Sequence, residues 1–178
     1  RQAARNAIDA DPEYGGGYRA MGSTFWREQN NAEAKRYFLE AIERDPGDTR
    51  ALSGLGLVEL ADDPELAHGI FQRVRELDPQ SETVYRQLFF ALTRLGRPRE
   101  AVAALEEGIA RHPGNLLLLA DLAGVYGEAL GRPADAALWG ARIVATNRRS
   151  AVGPLVMASV WLNAGDRERA GDWLDLAE

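Results

Sequence analysis

Four prolines set the frame for everything else in this chain. Each follows an acidic or polar residue, at Asp11-Pro12, Asp45-Pro46, Asp78-Pro79 and His112-Pro113, and they stand 34, 33 and 34 residues apart. A period in this range marks a repeat array, in which one small supersecondary unit recurs and stacks on its own copies. The residue before a proline is pushed out of the α region, so each mark also predicts the end of a helix.

Between the marks the pattern is helical. Tyr18, Met21, Gly22 and Phe25 fall at i, i+3, i+4 and i+7, one face of an α-helix. Tyr85, Leu88, Phe89 and Leu92 repeat that spacing 67 residues later. Polar breaks follow such helices at Gln29-Asn30-Asn31, Gly96-Arg97-Pro98 and Gly131-Arg132-Pro133. Glycine there closes one helix, and proline opens the next where its missing N–H is not needed. A second helix then carries its own stripe: Ala34, Phe38 and Ala41; Ala67, Phe71 and Val74; Ala101, Leu105 and Gly108. A helix pair this short cannot bury its apolar face alone, so neighbouring pairs must cover one another.

Tyr18, Met21-Gly22, Phe25, Ala34, Phe38, Ala41 and Pro46 resemble the pattern of the tetratricopeptide repeat family. Leu52, Leu55-Gly56, Ala67, Phe71 and Pro79 fill the same pattern with one residue fewer in the loop at Asp62-Asp63-Pro64. Glu59 stands where the pattern has an aromatic, and looser packing of that helix is expected. The fourth unit has Leu119, Leu122-Ala123, Tyr126 and Ala136, but Gly140 where a large apolar residue belongs. It also has no closing proline near Asn147, and one extra residue ahead of Gly131-Arg132-Pro133. The fifth has Pro154, Met157-Ala158, Trp161, Ala170 and Leu174.

The resemblance implies an all-α fold, a right-handed α-solenoid of antiparallel helix pairs. Its units are drawn at 15–48, 49–81, 82–115, 116–150 (degenerate) and 151–178 (truncated), with 1–14 as the end of a preceding repeat. The chain is expected to be a piece of a longer bacterial protein, periplasmic or cytoplasmic, with fraying at Arg1–Ala10 and from Arg167 onward.

Few residues are suited to chemistry. The net charge of −6 argues against nucleic acid as a partner. The absence of cysteine excludes disulfides, thiolate metal sites and thiol nucleophiles. No apolar run approaches the roughly 20 residues of a membrane span, so no direct membrane insertion is expected. His68 and His112 lie on different units without a ligand set nearby, and surface or helix-end positions are expected for them. Serines 23, 53, 81, 150 and 159 lack the Gly-x-Ser-x-Gly setting of a nucleophile. Gly15-Gly16-Gly17 is followed by no Lys-Ser/Thr pair and reads as a flexible lead-in to a helix, not a phosphate loop. Gly54-Leu55-Gly56 lies inside a helical pattern, which is the wrong context for a dinucleotide site. Asp62-Asp63 with Glu65 lacks calcium-loop spacing and reads as a solvated turn before a helix. No catalytic residue, metal or cofactor is expected, and the chain is read as no enzyme.

In the family, first helices line a concave face on which ligand peptides lie. Mapped onto this chain, that face comprises Arg19, Ser23, Trp26 and Arg27, then Arg50, Ser53 and Leu57, then Arg86, Phe90 and Thr93. Arg19, Arg50 and Arg86 are expected to form a basic track for partner carboxylates. Farther along, Leu117, Ala120, Gly124, Leu155 and Ser159 offer a small apolar lining suited to a hydrophobic segment. The subfamily that clamps chaperone C-termini needs lysines and asparagines where this chain has Arg19, Ser23, Gly54, Thr83 and Gln87, so that clamp is absent. The expected function is a non-catalytic scaffold binding a protein or peptide partner. Arginine-rich arrays of this kind resemble the periplasmic scaffolds of exopolysaccharide export. Two alternatives stay open: the substrate-recognition module of a larger glycosyltransferase- or sulfotransferase-type enzyme, and a self-association module.

Overall fold

The computed structural model describes residues 1–146 and 151–177, and all regular structure among them is helical. The α-helices are α1 (Gln2–Ala10), α2 (Gly15–Arg27), α3 (Asn31–Arg44), α4 (Thr49–Glu59), α5 (Pro64–Leu77), α6 (Glu82–Arg94), α7 (Pro98–Arg111), α8 (Leu116–Gly124), α9 (Pro133–Thr146), α10 (Val152–Asn163) and α11 (Arg167–Asp175). The stretches expected to fray, Arg1–Ala10 and Arg167 onward, are helical as α1 and α11. Asn147 and Ser150 lie outside the described residues.

The chain forms two compact units, Arg1–Leu95 and Gly96–Glu178. In the first, each helix from α1 to α5 packs on the next, and α2 also reaches α4. In the second, α7 through α11 pack in the same serial way, and α8 also reaches α10. Contacts confined to neighbours and next-neighbours are what stacked helix pairs produce, in contrast to helices gathered round one closed core.

The proline marks end helices as the local chemistry requires. Asp11, Asp45, Asp78 and His112 all leave the α region, with φ of −147°, −135°, −138° and −128° and positive ψ. Behind each proline the chain turns in the same way: Tyr14, Asp48, Ser81 and Asn115 donate their N–H to the carbonyls of Asp11, Asp45, Asp78 and His112 at 3.0–3.2 Å. Three of these turns are tied to the following unit through the proline carbonyl. Arg44 Nε reaches Pro12 at 2.7 Å, Arg73 Nη2 reaches Pro46 at 2.7 Å, and the Tyr85 hydroxyl reaches Pro79 at 2.8 Å.

Helix starts are capped by side chains at Asn30, Asp48, Asp63, Asn115 and Asp166. Asp63 accepts from the Leu66 N–H at 2.9 Å, so the acidic turn at Asp62-Asp63 is a helix start as read from sequence. The polar breaks use left-handed residues: Gly96 at φ 67°, Gly131 at 61°, Gly165 at 80°, and Gln29 at 60°. Only Gln29 carries a Cβ in that conformation, which costs a non-glycine residue about 1–2 kcal/mol. Gln29→Gly should therefore stabilise the chain by about 1 kcal/mol, read as a melting temperature raised by roughly 3 °C.

Small residues and rings interlock in the first unit. Phe38, on α3, is 2% exposed among Tyr18, Ala34, Ala41, Ala51 and Leu55. A Cβ added at Gly22 would come within 2.7 Å of its ring, and one added at Gly54 would overlap the outer edge of the ring. Phe71 fills the corresponding space over Gly56. Glycine at these helical positions makes room for a phenylalanine from the neighbouring helix.

Several expectations from sequence need correction. Gly15-Gly16-Gly17 is the first turn of α2 and no flexible lead-in. A Cβ at Gly15 would lie 3.0 Å from the Ala41 carbonyl, and one at Gly17 would lie 2.8 Å from Ile8. Glu59 does not loosen α4. It is 6% exposed and forms an ion pair at 2.6 Å with Lys35, the only lysine, while Leu52, Leu55 and Val58 of the same helix are buried. That pairing holds the Lys35 ammonium above its ordinary pKa.

Gly140 leaves no hole. The Met157 side chain occupies the space where its Cβ would be. The extra residue of the fourth unit is absorbed by a wide turn at Val125–Ala129, continuous with α8, in which the Leu130 N–H reaches back five residues to Val125 O at 3.0 Å. A π turn of this kind accommodates a one-residue insertion without ending the helix. His68 is buried on α5, at 9% exposure, and not on the surface. His112 caps the end of α7, as its place before proline suggests.

Candidate functional site

The first unit has an open cleft of about 550 Å³ between α2, α4, the end of α5 and the start of α6. Ser23, Trp26 and Arg27 come from α2, and Thr49, Arg50, Ser53, Gly54 and Leu57 run along α4. Phe38 and Val74 contribute the apolar parts, and Asp78, Ser81 and Thr83 complete the lining. A second open cleft of about 560 Å³ is bounded by Trp26, Arg27, Gln29 and Asn31, so Trp26 and Arg27 serve both. Trp26 is 41% exposed, a large apolar surface left in contact with water.

Six of the residues expected on the concave face are brought together here: Ser23, Trp26, Arg27, Arg50, Ser53 and Leu57. The other four stand elsewhere. Arg86, Phe90 and Thr93 lie farther along α6, outside the cleft lining, with the Arg86 guanidinium 5.2 Å over the Phe90 ring. Arg19 is occupied: its guanidinium meets Asp48 at 2.5 Å, and Asp48 is only 8% exposed. Arg27 and Arg50 differ from Arg19. Both are exposed, and neither pairs with a carboxylate among the described residues. Arg27 makes only a long hydrogen bond, 3.4 Å, to the Ser23 carbonyl. Arg50 is in addition in the first turn of α4, where the peptide dipoles favour negative charge. The basic edge faces one acidic residue, Asp78, whose carboxylate accepts from the Gln80 N–H at 3.2 Å.

Sequence reasoning did not place Phe38, Val74 or Asp78 in this cleft. They belong to second helices or their ends, and a stripe read along one helix cannot show that a residue of the next reaches through to the same surface.

In the second unit a smaller cleft of about 310 Å³ is lined by Ala120, Gly124, Gly127, Glu128, Leu155, Val156, Ser159, Val160 and Asn163. Four of the five residues read as a small apolar lining are present, while Leu117 stands outside it, 52% exposed. Among the described residues there is no group of three or more His, Asp or Glu placed to hold a metal ion. No helix among them is long and apolar enough to cross a membrane.

Two tetratricopeptide repeat models match the chain, one at residues 19–82 and the other at residues 82–125. Nothing among curated protein sequences matches it. Among solved structures, PilW, described as a widely conserved type IV pilus biogenesis factor, superimposes with a TM-score of 0.83 at 16% identity, over 97% of this chain and 80% of that one. YrrB, described as a tetratricopeptide-repeat protein with an unusual peptide-binding site, gives 0.72 at 18% identity, over 98% and 90%. MamA from Desulfovibrio magneticus RS-1 gives 0.74 at 18% identity, over 92% and 93%. Identities this low bear on the fold alone. Repeat spacing, serial helix pairing and matches running across residues 19–125 agree, and the chain belongs to the tetratricopeptide-repeat family, α-solenoids whose repeats act as protein–protein interaction modules.

Proposed function

We propose that this chain is a non-catalytic interaction scaffold whose first-unit cleft binds a short acidic segment of a partner protein. The observation that carries the reading is the pair Arg27 and Arg50, exposed on the cleft and without a carboxylate partner among the described residues. A guanidinium presents a planar fork of donors that matches a carboxylate, and Trp26 beside it supplies an apolar wall. Ser23, Thr49 and Ser53 add hydroxyls within the same cleft. The expected track of Arg19, Arg50 and Arg86 is thereby redrawn, because Arg19 is neutralised by Asp48. Peptide binding by the neighbour YrrB supports the same reading by analogy of fold.

The repeat boundaries 15–48, 49–81 and 82–115 are part of this reading and put the cleft across two repeats and the opening of a third. The finer assignment, to a bacterial assembly such as exopolysaccharide export, rests on resemblance alone, and none of the neighbours named above is described as an exopolysaccharide-export protein.

Selection from a random displayed-peptide library tests the proposal. Enriched peptides should carry Asp or Glu beside apolar residues. The double variant Arg27→Glu, Arg50→Glu should bind them at least tenfold more weakly, since hydrogen bonds to charged groups are worth about 1.5–3 kcal/mol each. Helix content and melting temperature should not change, because both side chains are exposed. Enrichment of peptides without acidic residues, or equal binding by the variant, defeats the reading.

A further inference from the structure

The first-unit cleft carries charge of both signs. Arg27 and Arg50 line it together with one carboxylate, that of Asp78, the residue that closes α5. Among the described residues, neither arginine forms an ion pair with Asp78. The turn explains why an aspartate stands there: Asp11, Asp45 and Asp78 each accept, through Oδ1, the N–H two residues on, at 3.0–3.2 Å. Of the three, only Asp78 lines this cleft. The turn engages Oδ1 and holds the carboxylate in place, while Oδ2 has no partner among the described residues. A fixed charge that the cations of its own cleft do not neutralise is left for a ligand to meet.

We propose that Asp78 is a specificity-determining residue that pairs with a lysine or arginine of the bound segment, so that the cleft selects a segment carrying both an acidic and a basic residue over one that is acidic throughout. Had Asp78 met Arg27 or Arg50 within the protein, the two charges would have cancelled and left nothing to discriminate. A segment acidic throughout brings another carboxylate beside Asp78, where like charges repel, and approaches a chain whose net charge is already −6. A basic residue at that point removes the repulsion and adds a pair. The inference rests on the cleft being the acidic-segment site proposed above and adds the second charge that the segment must carry.

The test uses eight-residue peptides enriched on the full chain from a random displayed library, and the variant Asp78→Asn, which keeps an acceptor for the Gln80 N–H but carries no charge. Enriched peptides should contain Lys or Arg as well as Asp or Glu. Alanine in place of that basic residue should weaken binding to the parent chain about fivefold at low salt, and binding to Asp78→Asn by less than about twofold. Glutamate in its place should weaken binding to the parent chain further. A double-mutant cycle of this kind reports the pair itself, because a merely structural role for Asp78 would lower the affinity of all these peptides alike. Peptides without a basic residue would overturn the inference, as would an equal loss on both chains or unchanged binding of the glutamate peptide. If such peptides still depend on Arg27 and Arg50, the acidic-segment reading stands alone. Failure to enrich any peptide, or enrichment of peptides without acidic residues, would remove both.

Discussion

Alanine at Gly54 is expected to destabilise the chain by about 3 kcal/mol, although alanine is the better helix former. On propensity alone, Gly→Ala inside a helix gains about 0.5–1 kcal/mol. At Gly54 that gain is overwhelmed, because the new methyl would overlap the outer edge of the Phe38 ring. The ring cannot move aside cheaply. It is 2% exposed, with Tyr18, Ala34, Ala41, Ala51 and Leu55 in the same cluster, and Gly22 presses on it from α2. Gly69, on α5, is the control: it is exposed, and a Cβ there would meet nothing within 4 Å. Gly69→Ala should stabilise by about 1 kcal/mol. Opposite signs for the two variants in urea denaturation are the result expected, and a gain at both positions would contradict the packing described.

Asp48→Ala should cost about 3 kcal/mol, as two losses at one side chain. Its Oδ1 accepts the Arg50 and Ala51 N–H groups at 3.0 Å each and so caps α4. Its Oδ2 takes the Arg19 guanidinium at 2.5 Å, joining α2 to the start of α4. The carboxylate side chain is 7% exposed and that of Arg19 is 28%, so solvent screens the pair only partly. Asp48→Asn separates the contributions, since asparagine caps a helix about as well but carries no charge. It should lose about half as much as alanine. Equal losses would assign the whole effect to the ion pair. A loss near zero in both would mean that neither contact contributes.

The Asp48 prediction also bears on how much of the site was legible. Arg19, Arg50 and Arg86 fall on three successive first helices, and that recurrence alone suggested one continuous track. The structure gives them three different fates: pairing with Asp48, exposure on the cleft, and stacking over Phe90. Arg27, not singled out as part of that track, is the second uncommitted arginine of the cleft. The difference arises from side chains 29 residues away in one case and four in another, and only the shorter distance is visible as a helical neighbour.

Glu59 shows the same limit from the other side. Judged by its own helix it breaks an apolar pattern, but Lys35 of α3, in the preceding helix pair, reaches it and the burial is maintained.

What sequence determined by itself is the serial architecture: where helices end, which faces are apolar, and how often the unit recurs. Proline before a turn, glycine at a left-handed residue, and Asp or Asn at a helix start act through atoms within about four residues, so these features are local and can be read directly. The tertiary structure alone decided which glycines hold space for a ring, which arginines remain free, and that Asp78 shares a cleft with Arg27 and Arg50. Those outcomes depend on side chains brought together from successive helices, a dozen or more residues apart. Helical periodicity says which way a side chain points, and packing decides what it meets.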